Sequence, residues 1–145
     1  LSCFFFNFKL HFFIQLKLRR QIKLFKSHNL TCQDGDQARD FVYVKDVVDV
    51  LVFMMKNQKN NGIYNIGTGV ARTYNDLANI MFSEMGLKNE IKYIDTPKEI
   101  KKHYQYFTQA KISKLRLAGY QKPFTSLEDG IKDYISNYLL EERYF

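Results

Sequence analysis

Apolar and polar positions follow two different periods along this chain, and the changes of period predict where helices and strands lie. Residues 10–20 carry apolar side chains at helical spacing, and the apolar run IKLF at 22–25 predicts a short strand. The polar segment 26–37 contains an Asp-Gly pair, which is typical of a turn. The residues from Phe41 to Val44 then alternate as in a second strand.

The pattern after this strand predicts a buried helix followed by a buried strand. Asp46 is placed to cap the helix, because its carboxylate could accept from the first free amides. The residues up to 57 are apolar on nearly all sides, which is typical of a buried helix. Residues 62–66 predict a strand that leads into the turn Gly67-Thr68-Gly69.

Polar caps mark the remaining elements. Thr73 and Asp76 form a capping-box pattern for a helix that ends at Gly86. A strand is expected at 91–95, a helix at about 110–118 before Gly119, and a final amphipathic helix to about residue 140. The final helix is capped by Ser126 together with Asp129.

Alternating strands and helices indicate an α/β fold, although four short strands are few for a free-standing doubly wound sheet. We therefore expect the C-terminal part of an α/β protein, with the last elements of its sheet. Absence of the remaining half would expose the apolar faces of the 46–57 helix and the 62–66 strand. Exposed apolar surface of this kind predicts low solubility for the isolated chain.

The net charge of +7 is concentrated at one end of the chain. The first 30 residues carry six basic side chains and no acid, so the rest of the chain is almost neutral. A nucleic-acid-binding protein would spread basic residues over one face, so this distribution argues against that class. The apolar stretch before residue 20 is too short and too polar to span a bilayer. A non-catalytic module that uses this basic end to bind nucleic acid or membrane remains the least favoured alternative.

Other chemical motifs are weak. Cys3 and Cys32 show no metal-binding spacing, and a reduced, cytoplasmic protein is expected. Gly67 and Gly69 alone do not form a dinucleotide fingerprint, so they are interpreted as turn residues. The segment 101–120 mixes lysines, a histidine and tyrosines, which suits a phosphate or sugar ligand but equally suits a solvated loop.

The order of these segments resembles the extended short-chain dehydrogenase/reductases that act on nucleotide sugars. The shared motifs are RDFVYVKDV at 39–47, GIYNIGTG at 62–69 and AGYQKPF at 118–124. Within that superfamily the chain is most similar to the epimerases of ADP-heptose, through KLFKS at 23–27 and FTQA at 107–110. The resemblance extends from about residue 11 to residue 140 and is strong from residue 22 onward.

This resemblance implies a cytoplasmic isomerase that inverts C6 of ADP-heptose by NADP-mediated transient oxidation and re-reduction, for the inner core of lipopolysaccharide. It implies a homo-oligomer when full length, with no nucleic-acid or membrane partner. Residues 10–145 would be the substrate-binding part of the enzyme. The implied substrate contacts are the following residues: His11, Phe25, Lys26, Ser27, His28, Arg39 and Tyr104. Arg39 offers a planar fork suited to a pyrophosphate, whereas Asp40 is given only a structural role.

The chain departs from the family pattern at its beginning. It contains no cofactor fingerprint and no Tyr-x-x-x-Lys pair, so no catalytic or cofactor-binding residue is assigned. A further catalytic lysine of the family would fall on Ser2, and a substrate-binding serine on Phe4. We therefore expect residues 1–9 to be atypical and the Rossmann core that binds NADP to be missing. The chain alone should not catalyse. Another nucleotide-sugar epimerase or dehydratase, acting on UDP- or dTDP-sugars, is the alternative within the superfamily.

Overall fold

The computed structural model describes residues 4–59 and 61–141, and of residues 4–9 the backbone only. The predicted atypical stretch 1–9 therefore lies largely outside the described residues. The elements in chain order are α1 (Phe4–Arg19), β1 (Ile22–Phe25), β2 (Ala38–Arg39), α2 (Val44–Lys56), β3 (Arg72–Thr73), α3 (Tyr74–Glu84), β4 (Ile91–Ile94), α4 (Lys98–Lys101), α5 (Ser113–Leu117) and α6 (Leu127–Tyr134). A π-helical segment, Ile135–Leu139, extends α6.

Two small sheets organise the described residues. β1 and β4 pair in parallel, with Ile22 opposite Ile91 and Phe25 opposite Ile94. β2 and β3 pair antiparallel, and Ala38 also forms a parallel bridge with Phe107. The mixed α/β architecture with a short parallel sheet confirms the predicted fold class. The helix at 10–20 and the strands at 22–25 and 91–95 are also confirmed, with α1 extending back to residue 4.

The predicted caps are confirmed at two helices. The Thr73 hydroxyl accepts from the amide of Asp76, and the Asp76 carboxylate accepts from the amide of Thr73, which completes the capping box of α3. Ser126 caps α6 by accepting from the amide of Asp129. Gly86 follows α3 with a φ of +62°, a conformation that favours glycine.

The predicted strand from Phe41 to Val44 is wrong. Phe41 and Tyr43 are buried and Val42 is not, so the alternation correctly reports burial. The segment has no strand partner, because the ladder ends at Arg39 and helix α2 begins at Val44. A strand requires a neighbouring backbone, which local alternation does not specify.

Two expectations about α2 are also wrong. Tyr43, not Asp46, stands at its N-cap, and the buried Asp46 carboxylate instead accepts from the amide and hydroxyl of Thr125. The helix is not buried, because Leu51 is 52% and Met55 73% exposed. This exposure agrees with the expectation for an α/β chain that lacks the rest of its sheet.

The predicted strand at 62–66 is wrong as well, because that segment belongs to neither sheet of the described residues and Ile63 lies 89% exposed. The helix predicted at 110–118 is shorter, at Ser113–Leu117, and α4 was not predicted.

Two hydrophobic clusters form the described core. The larger cluster joins α1, β1, α3 and α6 and includes Phe13, Leu77 and Ile131. The smaller cluster centres on Val50, Leu115 and Tyr120, between α2 and α5. The larger cluster supports one side of a cavity at the carboxyl ends of the parallel strands.

Candidate functional site

A cavity of about 810 Å³ opens beside the carboxyl ends of β1 and β4. Ligands of α/β proteins commonly bind at this end of parallel strands. One face of α1, the strands and the loop after α4 contribute to the wall. The lining residues are His11, Phe12, Ile14, Gln15, Leu18, Arg19, Lys23, Leu24, Phe25, Gln37, Arg39, Tyr74, Ile94, Ile100, His103, Tyr104 and Gln105.

The charge of this wall has one sign. Arg19, Lys23 and Arg39 are cationic, His11 and His103 add two imidazoles, and none of the described lining residues is acidic. The rest of the wall is mainly apolar and aromatic. A cavity with aromatic surfaces and only positive charge suits a ligand that combines rings with phosphate groups.

Arg39 is held between two aromatic rings. Its guanidinium carbon lies 5.7 Å from the ring centroid of Tyr104 and 5.9 Å from that of Tyr74, within the range of cation–π contact. Its Nη1 donates to the carbonyl of Ala38 at 2.7 Å, and its Nη2 donates to the carbonyl of Gln105. Among the described residues, no carboxylate forms an ion pair with Arg39. The guanidinium is therefore fixed in place while its charge remains available to an anion.

Tyr104 is the aromatic centre of the site. Burial raises the pKa of Tyr104 to about 12, nearby Tyr74 adds to the increase, and Arg39 opposes it. Burial likewise raises the pKa of Tyr74. Both phenols therefore stay protonated at neutral pH, so each can donate a hydrogen bond to a phosphate or hydroxyl oxygen.

Four of the seven sequence-predicted site residues line the cavity, and three do not. His11, Phe25, Arg39 and Tyr104 come together from four separate segments. The other three lie in the loop after β1 and bind the protein itself. Lys26 forms an ion pair with Asp95 at 3.0 Å, and the amide of Ser27 donates to Asp34 at 2.6 Å.

His28 adjoins the site from the outside. Its ring packs edge-on against Tyr104 and Tyr106, with centroids 5.9 and 5.2 Å apart. Its Nε2 donates to the carbonyl of Lys101 at 3.1 Å, and its amide donates to the Tyr106 hydroxyl at 2.9 Å. His28 thus supports the loop that carries Tyr104. The assignment of all seven residues as substrate contacts stays a prediction.

Sequence reasoning missed several lining residues, including Lys23, Tyr74 and His103. Lys23 stands between Ile22 and Leu24, which are both buried in the core. Alternation along β1 therefore predicts that the Lys23 side chain lies on the face of the strand opposite that core. Nothing local identifies Tyr74, because its contact with Arg39 depends on the pairing of β2 with β3.

The glycine turn at 67–69 does not fit a dinucleotide phosphate. The amides of Thr68 and Gly69 both donate to the carboxylate of Asp40, at 2.7 and 2.9 Å. Since these amides are already occupied by an anionic group, the turn is structural, as the sequence predicts.

Two further features concern the described part of the chain, a cluster of metal-ligating side chains and a membrane-spanning helix. Its His, Cys, Asp and Glu residues form no group of three that could hold a metal ion. Its helices include none with the length and apolar character needed to cross a bilayer.

Comparison with known proteins finds one family model and several similar sequences. The family model described as NAD dependent epimerase/dehydratase matches residues 10–67. The ADP-L-glycero-D-manno-heptose-6-epimerase of Fusobacterium nucleatum is 49% identical over 138 residues, covering 91% of this chain and 42% of the relative. The protein of that name from Nitratidesulfovibrio vulgaris is 46% identical over 118 residues, covering 81% and 36%.

Solved structures agree with these relatives. The ADP-L-glycero-D-manno-heptose-6-epimerase of Helicobacter pylori superposes with a TM-score of 0.73 at 34% identity, covering 90% of this chain and 37% of that one. A UDP-galactose 4-epimerase superposes with a TM-score of 0.67 at 17% identity, covering 94% and 40%, which shows the fold alone.

The match is confined to one portion of these proteins. The chain spans roughly two fifths of the length of the curated relatives it matches, at their C-terminal end. The chain is therefore similar to the NAD dependent epimerase/dehydratase family over residues 10–67, and over most of its length to the C-terminal portion of ADP-L-glycero-D-manno-heptose-6-epimerases.

Proposed function

We propose that this chain binds the nucleotide sugar of an ADP-L-glycero-D-manno-heptose 6-epimerase. The observation that carries the proposal is the cavity whose described lining is aromatic and cationic without any acid. An ADP-sugar offers a flat base, two phosphates and several hydroxyls, and this wall provides a complement for each. The substrate names of the relatives in Fusobacterium nucleatum and Helicobacter pylori support ADP-heptose as that ligand.

Arg39 is the proposed pyrophosphate contact. It already uses two N–H groups on backbone carbonyls, which lowers the conformational entropy that binding would cost. Phe25 and Tyr104, whose ring centroids lie 6.4 Å apart, offer ring surface and a phenolic donor. His11 adds a polar group at the edge of the cavity. Lys26, Ser27 and His28 lie outside the described wall, in the loop after β1, and are proposed as further contacts of the ligand.

The cofactor is proposed to lie outside this chain's own residues. The family name implies a nicotinamide cofactor, and we propose that it is NADP. The turn at 67–69 cannot cradle its phosphates, because Asp40 occupies the amides. The sequence also has no Tyr-x-x-x-Lys pair. The chain would therefore supply substrate binding for C6 inversion of ADP-heptose, in cytoplasmic lipopolysaccharide biosynthesis by a homo-oligomer, and should not catalyse alone.

Calorimetric titration of the chain with ADP, UDP, GDP and dTDP tests the proposal. We expect ADP to bind most tightly, with no C6 inversion when ADP-heptose and NADP are added. Preference for UDP or dTDP would favour another nucleotide-sugar epimerase or dehydratase. If no nucleotide binds while DNA or anionic vesicles do so in a salt-dependent manner, the basic N-terminal segment is the functional surface instead.

A further inference from the structure

The Asp40 carboxylate joins three segments that lie far apart in the sequence. Its Oδ1 accepts from the amide and the hydroxyl of Thr68, at 2.7 and 2.6 Å. Its Oδ2 accepts from the amides of Gly69 and Ala110, at 2.9 and 3.0 Å. Four donors on one partly buried carboxylate satisfy almost all of its lone pairs. Asp40 is therefore a junction between the end of β2, the glycine turn and the segment before α5.

The junction is tightly packed. A Cβ placed on Gly67 would lie 2.5 Å from the Cβ of Ala110 and 2.7 Å from Oδ2 of Asp40. Such distances are too short for non-bonded atoms, so only glycine permits the approach. Because the glycine turn is already packed against Ala110 and Asp40, it cannot shift toward either residue. The hydrogen bond from the Ala110 amide to the Asp40 carboxylate therefore fixes the position of Ala110.

Residues 105–110, which end in Ala110, directly follow Tyr104, the aromatic centre of the cavity. The amide of Ala38 donates to the carbonyl of Tyr106 at 2.9 Å, and the amide of Thr108 donates to the carbonyl of Ala38 at 3.1 Å. Arg39 then donates to the carbonyl of Gln105. Residues 38–40 thus hold both ends of the segment 105–110. Arg39 binds its first residue, next to Tyr104, and Asp40 binds its last residue, Ala110.

We propose that Asp40 is a positioning residue of the nucleotide site. By fixing the segment 105–110 against β2, its carboxylate sets the distance between the Arg39 guanidinium and the Tyr104 ring. Asp40 does not line the cavity, so it acts through its neighbours and not on the ligand. This inference rests on the proposed function, because it assumes that the cavity binds a nucleotide.

Asp40→Asn tests the inference, with Asp46→Asn as its matched control. Asparagine keeps the shape but turns an NH₂ group toward amide donors, which breaks the junction. Asp46 is also an acceptor for amide and hydroxyl donors, at Thr125, and lies outside the cavity wall. We expect Asp40→Asn to weaken ADP binding roughly tenfold. Asp46→Asn should lower the melting temperature but change ADP affinity less than about twofold.

A double-mutant cycle separates positioning from general destabilisation. If Asp40 acts through Arg39, Asp40→Asn should weaken ADP binding much less in an Arg39→Ala background. A merely structural role would give additive losses. Thr68→Val, which removes the hydroxyl's hydrogen bonds to Asp40 and to the backbone of Val70 but keeps the carboxylate, provides a milder variant should Asp40→Asn fail to fold. It should weaken ADP binding a few-fold.

The outcomes distinguish this inference from the proposed function. ADP binding by the unmodified chain that is unchanged in Asp40→Asn and Thr68→Val would overturn the inference alone. Equal losses in Asp40→Asn and Asp46→Asn, or additivity with Arg39→Ala, would also overturn it. Absence of ADP binding by the unmodified chain would overturn the proposed function and, with it, this inference.

Discussion

Arg39 shows at the scale of one residue how the fold converts an ordinary charge into a candidate ligand contact. Replacing it in Arg39→Ala should weaken ADP binding roughly ten- to a hundredfold, because a charge-assisted hydrogen bond to phosphate is lost. Calorimetric titration with ADP measures the change. In a full-length ADP-L-glycero-D-manno-heptose-6-epimerase, we expect the equivalent substitution to weaken ADP-sugar binding more than binding of the nicotinamide cofactor.

Arg72 is the matched control for this substitution. It lies opposite Arg39 in the β2–β3 ladder, yet its guanidinium pairs with Asp76 at 3.1 Å and Glu128 at 2.9 Å. Arg72→Ala should therefore leave ADP affinity nearly unchanged and lower stability slightly. Equal loss of ADP affinity in both variants would contradict a direct contact between Arg39 and the ligand and would indicate that Arg39 has only a structural role.

The role of Arg39 could be predicted only in part from the sequence. Spacing alone makes it a charge at a strand entry, and the family resemblance promotes it to a pyrophosphate contact. The contacts that support this role come from Tyr74 and Tyr104, which reach Arg39 through β2–β3 pairing and the Phe107 bridge. The sequence gives Asp40 only a structural role, and local pattern does not indicate the positioning role proposed for it, because its donors lie in two distant segments.

At the scale of elements, the two helix caps that were confirmed depend on local interactions. The capping box at Thr73 and the cap at Ser126 involve residues three positions apart, and both are present. The strands expected at 41–44 and 62–66 failed because each lacks a partner among the described residues. Apolar alternation reports which side chains seek burial, but it does not report whether a neighbouring strand is available.

The exposed face of α2 predicts self-association of the isolated chain. Val48, Leu51 and Met55 share one side of the helix at helical spacing and are 52, 52 and 73% exposed. Replacing both Leu51 and Met55 by lysine should raise the concentration at which the chain associates, because the contiguous apolar patch is removed. Sedimentation velocity over a concentration series measures the effect.

Leu30 provides the control for this patch. It is fully exposed in the loop after β1 and belongs to no helix, so Leu30→Lys adds one positive charge at an isolated leucine, against two in the helix variant. We expect little change in association. A chain that stays monomeric without any substitution would contradict the prediction, as would equal effects of the loop and helix variants.

At the scale of the whole molecule, the two hydrophobic clusters differ greatly in size. Sixteen buried residues form the larger cluster of the described chain, and three form the smaller one. Polar contacts connect the elements around the two clusters: Asp46 in α2 accepts hydrogen bonds from Thr125, which lies just before α6. Because cooperative stability grows with buried apolar area, the smaller cluster should open at a lower free energy than the larger one.

Leu77 and Leu115 allow a matched test of this difference, since both are leucines with at most 1% exposure. Leu77→Ala should lower the free energy of global unfolding by roughly 2–5 kcal/mol, measured by denaturant titration. Leu115→Ala removes the same atoms from the smaller cluster, so native-state hydrogen exchange should accelerate in α5 while α3 and α6 stay protected. If Leu115→Ala accelerated exchange in α3 and α6 as strongly as Leu77→Ala, the clusters would unfold as one unit. The cavity, whose wall rests on the larger cluster at Phe12 and Leu24, would then lose its structure whenever the α2–α5 region opened.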